Sequence, residues 1–250
     1  MPVREVLQLG NPTLREVAEP VEDPGSSEVT ALVTDLRDTL AHWRRTTGYG
    51  RAIAAPQIGI RKRLVFLNLG EPWPMINPAI VERSEETMVV WDACLSFLFV
   101  FCQVVRHREV TVRYQDLEGA WHELEAGVEN DLSELLQHEI DHLDGILTVD
   151  RMVSPRTLCS REEFEKRHRA ESPYARGEGG VRDSLREARE VSPRWRRLLW
   201  LLLRRVGYPV SWLARISSVQ SRSDLERVMN SIRNGLGMRE TEIAREPSRP

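Results

Sequence analysis

The sequence predicts an α+β fold in which strands are followed by a packed helix that carries an HExxH motif. Two observations lead to this prediction. Strand-like segments follow one another through a short turn instead of alternating with helices, and a capped helix comes after them. The chain has 250 residues, of which 41% are hydrophobic, so it can form one domain with a sizeable core and an extension.

A change in composition predicts where the domain ends. Residues 1–170 form the predicted main domain. The segment ESPYARGEGG begins at residue 171 and is small, polar and charged, so residues 171–192 are predicted to be a linker. Residues 193–250 are predicted to be a basic and apolar helical extension with a disordered polar tail.

The first predicted helix follows Ser26 or Ser27, because serine side chains cap helix N-termini. It is predicted to end at Gly48 or Gly50, since glycine is favoured just after the last helical turn. The apolar residues between these points recur at helical spacing, and they are Val29, Leu32, Val33, Leu36, Leu40 and Trp43.

Three strands are predicted between this helix and the next. Residues 63–69 (RLVFLNL) form a short apolar run, which is typical of a buried strand. Residues 108–115 alternate in polarity, and residues 116–119 can turn the chain into another strand. That last strand carries His122, Leu124 and Ala126.

The second predicted helix is DLSELLQHEIDHL. Asn130 or Asp131 can cap its start, and Glu134 is placed as the return partner of a capping box. Gly145 is predicted to end it.

This helix carries the residues that indicate chemistry. His138 and His142 are four positions apart, so they share a helix face and can bind one metal ion. Glu139 lies about 100° around the helix from His138, within the arc of apolar side chains. Burying an unpaired charge is costly, but desolvation also raises a carboxylate's pKa toward neutrality, which suits general acid/base catalysis. The alternative is an ordinary surface pair of histidines.

A catalytic metal site usually needs a third protein ligand. His168 is awkwardly placed, because Gly145 and Pro155 interrupt the chain before it. Cys94 lies in an apolar stretch and is the better candidate, although inert packing of a buried cysteine explains it equally well from local sequence.

Charge and cysteine content exclude several classes of protein. The formal net charge is −3, which gives no drive toward nucleic acid, and no specific DNA binding is expected. The first residues have no apolar core typical of a secretory signal, and no apolar run is long enough to span a membrane. Three cysteines without paired spacing favour a reducing compartment, so we expect a cytoplasmic protein.

Three segments, taken in order, resemble the peptide deformylase family. Residues 50–59 (GRAIAAPQIG) are similar to its GxGxAAxQxG segment, residues 92–96 (DACLS) to its EGCLS segment, and residues 137–145 (QHEIDHLDG) to its QHExDHLxG helix. The resemblance extends from residue 3 to about residue 155. It implies the fold of that family, with antiparallel sheets packed around a central metal-binding HExxH helix. It also implies removal of the N-formyl group from the N-terminal methionine of nascent chains.

The resemblance also implies a metal centre. By position, Cys94, His138 and His142 would hold one divalent ion, and Glu139 would be the acid/base. Fe²⁺ is the expected ion, and Zn²⁺, Ni²⁺ or Co²⁺ can replace it.

Two further residues receive roles from the resemblance. The Gln57 side-chain amide and the Leu95 backbone N–H would stabilise the oxyanion formed on the formyl group. A protease is less favoured, because HExxH proteases take their third ligand downstream of the motif.

The sequence departs from the family pattern around the expected cleft. Ala52 and Ala93 replace glycines, and each added methyl group can crowd an approaching peptide. Arg51 is charged where the family is usually apolar, and an unusually apolar stretch begins at Phe97 and is either a core strand or a pocket wall. These four residues and Gly50 are the predicted substrate-binding residues. The departures leave open a small non-peptide N-formyl metabolite as substrate, or a non-catalytic binding relative.

Asp92 replaces the family's glutamate, which pairs with a downstream arginine. Arg106 stands at the matching position, and we expect the shorter Asp92 to reach it.

The predicted extension contains a segment, residues 194–217, that is rich in arginine, tryptophan and leucine. Its charge suits ribosomal RNA or an anionic membrane surface. The simpler alternative is a helix that packs its leucine face against the main domain or a second copy.

Overall fold

The computed structural model describes residues 3–127 and 132–172. Within them the helices are α1 (Ser27–Thr47), α2 (Leu132–Leu143) and α3 (Arg161–Arg167). The strands are β1 (Ala52–Ala54), β2 (Leu64–Asn68), β3 (Pro72–Arg83), β4 (Thr87–Ala93), β5 (Val100–His107), β6 (Val110–Gln115), β7 (Trp121–Ala126) and β8 (Cys159–Ser160). The predicted linker beyond residue 172, the predicted extension at 193–250 and the predicted caps Asn130 and Asp131 lie outside the described residues.

The strands form two antiparallel sheets, which confirms the predicted α+β class. One sheet has five strands in the order β1-β2-β3-β6-β7, and the other has three in the order β4-β5-β8. Because β1 has a single neighbour, it is an edge strand of the larger sheet.

Helix α1 begins and ends close to the predicted positions. Ser26 Oγ accepts a hydrogen bond from the Val29 backbone N–H at 3.3 Å, so Ser26 is the N-cap. Gly48 has φ 77°, and its backbone N–H closes the helix on the Arg44 carbonyl. This left-handed conformation is the reason for glycine there. The buried apolar residues of α1 pack in one core cluster with β1, β2 and β5, and they are Val29, Leu32, Leu36 and Leu40.

The three strands predicted from periodicity are all present. The run at residues 63–69 becomes β2, which is buried between β1 and β3. Strands β6 and β7 form the predicted hairpin, with Val112 opposite Leu124. Asp116 stabilises its turn, because Oδ1 accepts hydrogen bonds from the backbone N–H groups of Glu118 and Ala120.

Helix α2 is central, and every one of its residues is buried. Its apolar residues pack against the larger sheet, and they are Leu132, Leu135, Leu136, Ile140 and Leu143. The helix ends before Gly145, as predicted. Gly145 has φ +71°, and a Cβ atom built on it would lie 2.5 Å from the Arg15 carbonyl oxygen. Only glycine therefore fits at this point of the chain.

The apolar stretch that begins at Phe97 divides into two parts. Residues Leu95–Phe97 form a 3₁₀ turn, and β5 begins at Val100. The stretch thus includes the end of this turn and the start of β5, and of the two residues between them Leu98 lines a cleft and Phe99 is exposed.

None of the helices in the described part of the chain combines the length and apolar character needed to cross a membrane.

Candidate metal centre

Three potential ligands converge between α2 and the end of β4. Helix α2 presents His138 and His142 one turn apart, with their ring centroids separated by 5.0 Å. Cys94 follows β4, and its Sγ lies 3.2 Å from His142 Nε2. One donor atom from each of the three residues lies within 4.8 Å of the others, and all three side chains are buried. A thiol and two imidazoles in this arrangement are a suitable donor set for a divalent transition metal.

Two hydrogen-bond donors lie beside the sulfur of Cys94. The Ser96 backbone N–H points to Sγ at 3.4 Å, and Gln57 Nε2 donates to Sγ at 3.5 Å. The cysteine therefore has polar partners at its sulfur as well as apolar neighbours, and its role as a ligand stays a prediction.

A buried network of charges orients His138. Its Nδ1 lies 2.8 Å from Asp92 Oδ1, so the ring donates Nδ1–H to the carboxylate and leaves Nε2 for an ion. Arg106 Nη2 donates to Asp92 Oδ2 at 3.0 Å, and the same guanidinium donates to Asp141. Asp92 thus reaches Arg106 as expected.

The charge state of Asp92 follows from this network. Burial raises its pKa, but the contacts with His138 and Arg106 lower it more strongly, and the net pKa lies below the ordinary value. Asp92 is therefore an ionised acceptor that holds the His138 ring in place. Arg151 extends the network on the other side by donating to Asp141 Oδ1 at 2.8 Å.

Glu139 lies inside the apolar arc predicted from helical geometry. It is 3% exposed, and its Oε2 has no hydrogen-bond partner among the described residues. Desolvation by burial is the main cause that raises its pKa to about 7. A buried carboxylate oxygen without a protein partner is expensive unless a ligand or water occupies that place. Glu139 thus suits proton transfer beside the three potential ligands.

The side chain of Gln57 is held with its amide group toward the centre. The Ala54 backbone N–H donates to Oε1 at 2.9 Å, which fixes the orientation of the amide. Nε2 then faces Cys94 Sγ and also donates to Ser96 Oγ at 3.3 Å. Leu95 is the first residue of the 3₁₀ turn after Cys94, so its backbone N–H also belongs to this region.

A cleft opens beside this centre and contains most of the predicted substrate-binding residues. Those that line it are Gly50, Arg51, Ala52 and Ala93, together with Gln57, Leu95, His138 and Glu139. Phe97 is placed elsewhere. It is 1% exposed and packs with Leu14, Cys94 and Leu147 in a separate cluster, because the turn after Cys94 directs it into the core. Phe97 thus supports Cys94 from behind and does not line the cleft.

Several cleft residues were not identified from the sequence, and Glu134 and Tyr49 are two of them. Glu134 lines the cleft, and its Oε2 accepts a hydrogen bond from Arg51 Nη2 at 2.7 Å. Its position four residues before His138 was a signal of a shared helix face. Tyr49 also lines the cleft, and its hydroxyl donates to Glu165 on α3. No sequence pattern linked Tyr49 to Glu165, because the two residues are far apart in the chain.

Comparison with known proteins gives a consistent result. The family model described as Polypeptide deformylase matches residues 3–157. Peptide deformylase 2 of Clostridium perfringens is 38% identical over 154 residues, which are 60% of this chain and 94% of that protein. The crystal structure of peptide deformylase from Thermotoga maritima superimposes with a TM-score of 0.57 at 32% identity, covering 62% of this chain and all of that one.

A further solved structure contains a peptide. It is the class I type b peptide deformylase from Acinetobacter baumannii with Met-Ala-Ser bound, at 30% identity and a TM-score of 0.54. The match covers 60% of this chain and 99% of that protein.

Proposed function

This chain belongs to the peptide deformylase family, and we propose that it removes the formyl group from the N-terminal methionine of nascent polypeptides. One observation carries the proposal. Two imidazoles and a thiol converge beside a buried glutamate whose Oε2 has no protein partner. This arrangement suits metal-assisted hydrolysis of an amide.

The family works with a divalent metal ion, and the proposed ligands here are Cys94, His138 and His142. Fe²⁺ is the ion that we expect in the cell, and Zn²⁺, Ni²⁺ or Co²⁺ can take its place because such a donor set accepts several metals. When bound, the ion supplies Lewis acidity, which lowers the pKa of water to about 7 and polarises a carbonyl oxygen.

Glu139 is the proposed acid/base. Its Oε2 accepts a proton from water as the water oxygen attacks the formyl carbon. Glu139 then returns that proton to the amine nitrogen as the C–N bond breaks, so the products are formate and a free N-terminus. Support comes from its burial and from the absence of a hydrogen-bond partner at Oε2 among the described residues.

Gln57 Nε2 and the Leu95 backbone N–H are the proposed donors to the formyl oxygen as it gains negative charge. The fixed orientation of the Gln57 amide supports its part, since a donor that is already oriented stabilises the transition state without reorganisation. One such donor contributes about 3 kcal/mol.

The leading substrate is a peptide that begins with formyl-methionine, and the binding of Met-Ala-Ser by the Acinetobacter relative supports this choice. The rival is a small N-formyl compound. Ala52 and Ala93 both line the cleft, so their methyl groups lie where a peptide approaches.

Formate release tests the two substrates directly. The protein is purified anaerobically, its metal content is measured, and the same sample receives formyl-Met-Ala-Ser or small formamides. Faster turnover of the peptide supports the proposal, and negligible peptide turnover with active hydrolysis of a small formamide would contradict it. Formate from neither substrate, at full metal content, would favour a non-catalytic binding relative.

The cellular partners remain predictions. Residues 194–217 lie outside the described residues, so their contact with the ribosome, an anionic membrane or the domain itself is untested. Co-sedimentation with ribosomes and with anionic liposomes, with and without residues 180–250, separates these alternatives. The three cysteines are free, which supports a reducing compartment such as the cytoplasm.

A further inference from the structure

The two proposed oxyanion donors come from segments that follow different sheets. Gln57 lies in the 3₁₀ turn Ala55–Ile58 after β1 of the larger sheet, whereas Leu95 begins the 3₁₀ turn after β4 of the smaller sheet. In the part of the chain that the structure describes, no strand pairing joins β1 to β4. The distance between the two donors therefore depends on contacts outside the sheets.

The N-terminal segment formed by residues 7–9 supplies such contacts, because it crosses from one turn to the other. The Leu7 backbone N–H donates to the Gln57 carbonyl oxygen at 2.8 Å. The Leu9 backbone N–H donates to the Ser96 carbonyl oxygen at 2.9 Å. One short stretch of backbone thus holds both the residue that carries the first donor and the residue that follows the second.

The side chain of Gln8 adds a third contact to the same region. Its Nε2 donates to the Val6 carbonyl oxygen at 2.9 Å and to the Leu95 carbonyl oxygen at 3.4 Å. An amide NH₂ group has two hydrogens, so one Nε2 can make both contacts. The Gln8 side chain therefore holds the residue whose N–H is the second proposed donor.

The N-terminal segment is itself anchored at both ends. Before it, the Arg4 backbone N–H donates to Thr39 Oγ1 at 3.0 Å, and the Arg4 guanidinium donates to Asp35 Oδ2 at 2.7 Å. Both acceptors lie on α1. After it, the Asn11 backbone N–H donates to the Gln8 carbonyl oxygen at 3.0 Å and closes a tight turn. Because both ends are held, the segment can keep the two donor-bearing turns at a fixed separation.

Resting on the proposed deformylation, we infer that the N-terminal segment positions the oxyanion donors, with Gln8 as a positioning residue and the Leu9 N–H as a positioning backbone group. They act on the reaction through Gln57 and Leu95. A misplacement of about 1 Å in a catalytic group can lower a rate by about 10²-fold. The negative charge on the formyl oxygen develops only in the transition state, so the effect falls on kcat and not on KM.

The turn after Gln8 allows the Leu9 N–H to be removed while the backbone conformation is kept. Gly10 is the third residue of this turn and has φ 103°, whereas φ of Leu9 is not positive, so the turn is of type II. Proline is favoured at the second position of a type II turn. Leu9→Pro therefore removes the N–H within a compatible backbone. Leu9→Ala removes the side chain, which is 43% exposed, and keeps the N–H.

The assay is formate release from formyl-Met-Ala-Ser, with kcat and KM determined separately on samples of known metal content and folded fraction. We expect kcat of Leu9→Pro to be about ten-fold below that of Leu9→Ala, with KM values that agree within about two-fold. Gln8→Met keeps the approximate length of the side chain and removes its donor, so kcat should fall by about three- to ten-fold at unchanged KM. The matched control is Lys166→Met, which removes an exposed donor to Glu162 on α3 and should keep the wild-type kcat.

Hydrogen exchange gives a second measurement that does not depend on catalysis. The Phe97 backbone N–H donates to the Cys94 carbonyl oxygen at 3.1 Å and closes the turn that contains Leu95. Its exchange rate, measured by NMR, reports how often this turn opens. We expect exchange at Phe97 to be about five-fold or more faster in Leu9→Pro than in Leu9→Ala.

The outcomes separate this inference from the proposed function. A lower kcat at unchanged KM in Leu9→Pro and Gln8→Met supports the positioning role. If both variants keep kcat per folded, metal-loaded molecule, or change only KM or the free energy of unfolding, the role is overturned and deformylation stands. If Leu9→Pro does not fold, Gln8→Met decides by the same criterion.

A wild-type protein that deformylates no peptide contradicts the proposed function, and exchange at Phe97 then decides the inference. Faster exchange in Leu9→Pro supports positioning of the turn by the N-terminal segment. Equal exchange in Leu9→Pro and Leu9→Ala overturns it.

Discussion

A substitution at Asp92 tests how much the hydrogen bonds behind His138 contribute to metal binding, because it leaves the three proposed ligands in place. Its two oxygens lie 2.8 and 3.0 Å from His138 Nδ1, and its side chain is 1% exposed. In Asp92→Asn the side chain keeps its shape but loses its charge. Its amide NH₂ must then face either His138 Nδ1–H or the Arg106 donors, so one hydrogen bond is replaced by a donor–donor contact.

The expected loss can be estimated from the role of such partners. Removing a carboxylate that supports a metal-bound histidine typically lowers metal affinity by about 10–100-fold. This range corresponds to roughly 1.4–2.7 kcal/mol in binding free energy. Arg106 retains Asp141 as a charged partner, so the fold should survive the substitution.

The assay is a metal competition titration on protein stripped of metal. Co²⁺ serves as the probe, a chromophoric chelator serves as the competitor, and the absorption of the cobalt–thiolate bond reports binding at Cys94. The control is Asp23→Asn, an exposed turn residue whose hydrogen bond to Gly25 an asparagine can keep. Wild-type Co²⁺ affinity in Asp92→Asn would refute the orienting role of Asp92.

Two further predictions follow from the geometry. Gln57→Ala removes a fixed donor, so kcat for formate release should fall by about 10²–10³-fold with metal content unchanged; a kcat close to wild type would exclude Gln57 from the transition state. Gly145→Ala places a methyl group 2.5 Å from the Arg15 carbonyl oxygen in a left-handed conformation, so the free energy of unfolding should fall by more than the roughly 1–2 kcal/mol of that conformation alone. Denaturant titration measures this free energy for Gly145→Ala and for the control Gly10→Ala, where φ is also positive but a Cβ atom would have no neighbour within 4 Å. An equal loss of stability in both variants would contradict the predicted clash.

Local periodicity predicted those parts of the structure that depend on nearby residues. The 3.6-residue repeat placed His138 and His142 together and put Glu139 among apolar side chains, because helix geometry alone determines those positions. The alternation in β6 and β7 predicted the hairpin for the same reason. Cys94 was different, since local sequence did not distinguish a metal ligand from a buried thiol. Only the resemblance to a family favoured the role of metal ligand.

Contacts between distant parts of the chain were not predictable in this way. Arg51 and Glu134 meet because β1 and α2 pack together, and neither local sequence indicates the other. Phe97 was expected near the cleft, but the 3₁₀ turn after Cys94 directs it into the core. Such positions depend on tertiary packing, which a single sequence does not display.

The proposed hydrolysis requires Glu139 to move the proton at this centre. The direct measurement is formate release from formyl-Met-Ala-Ser by wild type and Glu139→Gln, with bound metal determined in the same samples. Glutamine keeps the shape of the side chain but cannot accept the proton, so we predict unchanged metal content and a rate lower by about 10²–10⁴-fold. A Glu139→Gln protein that binds metal and releases formate at the wild-type rate would exclude Glu139 as the acid/base.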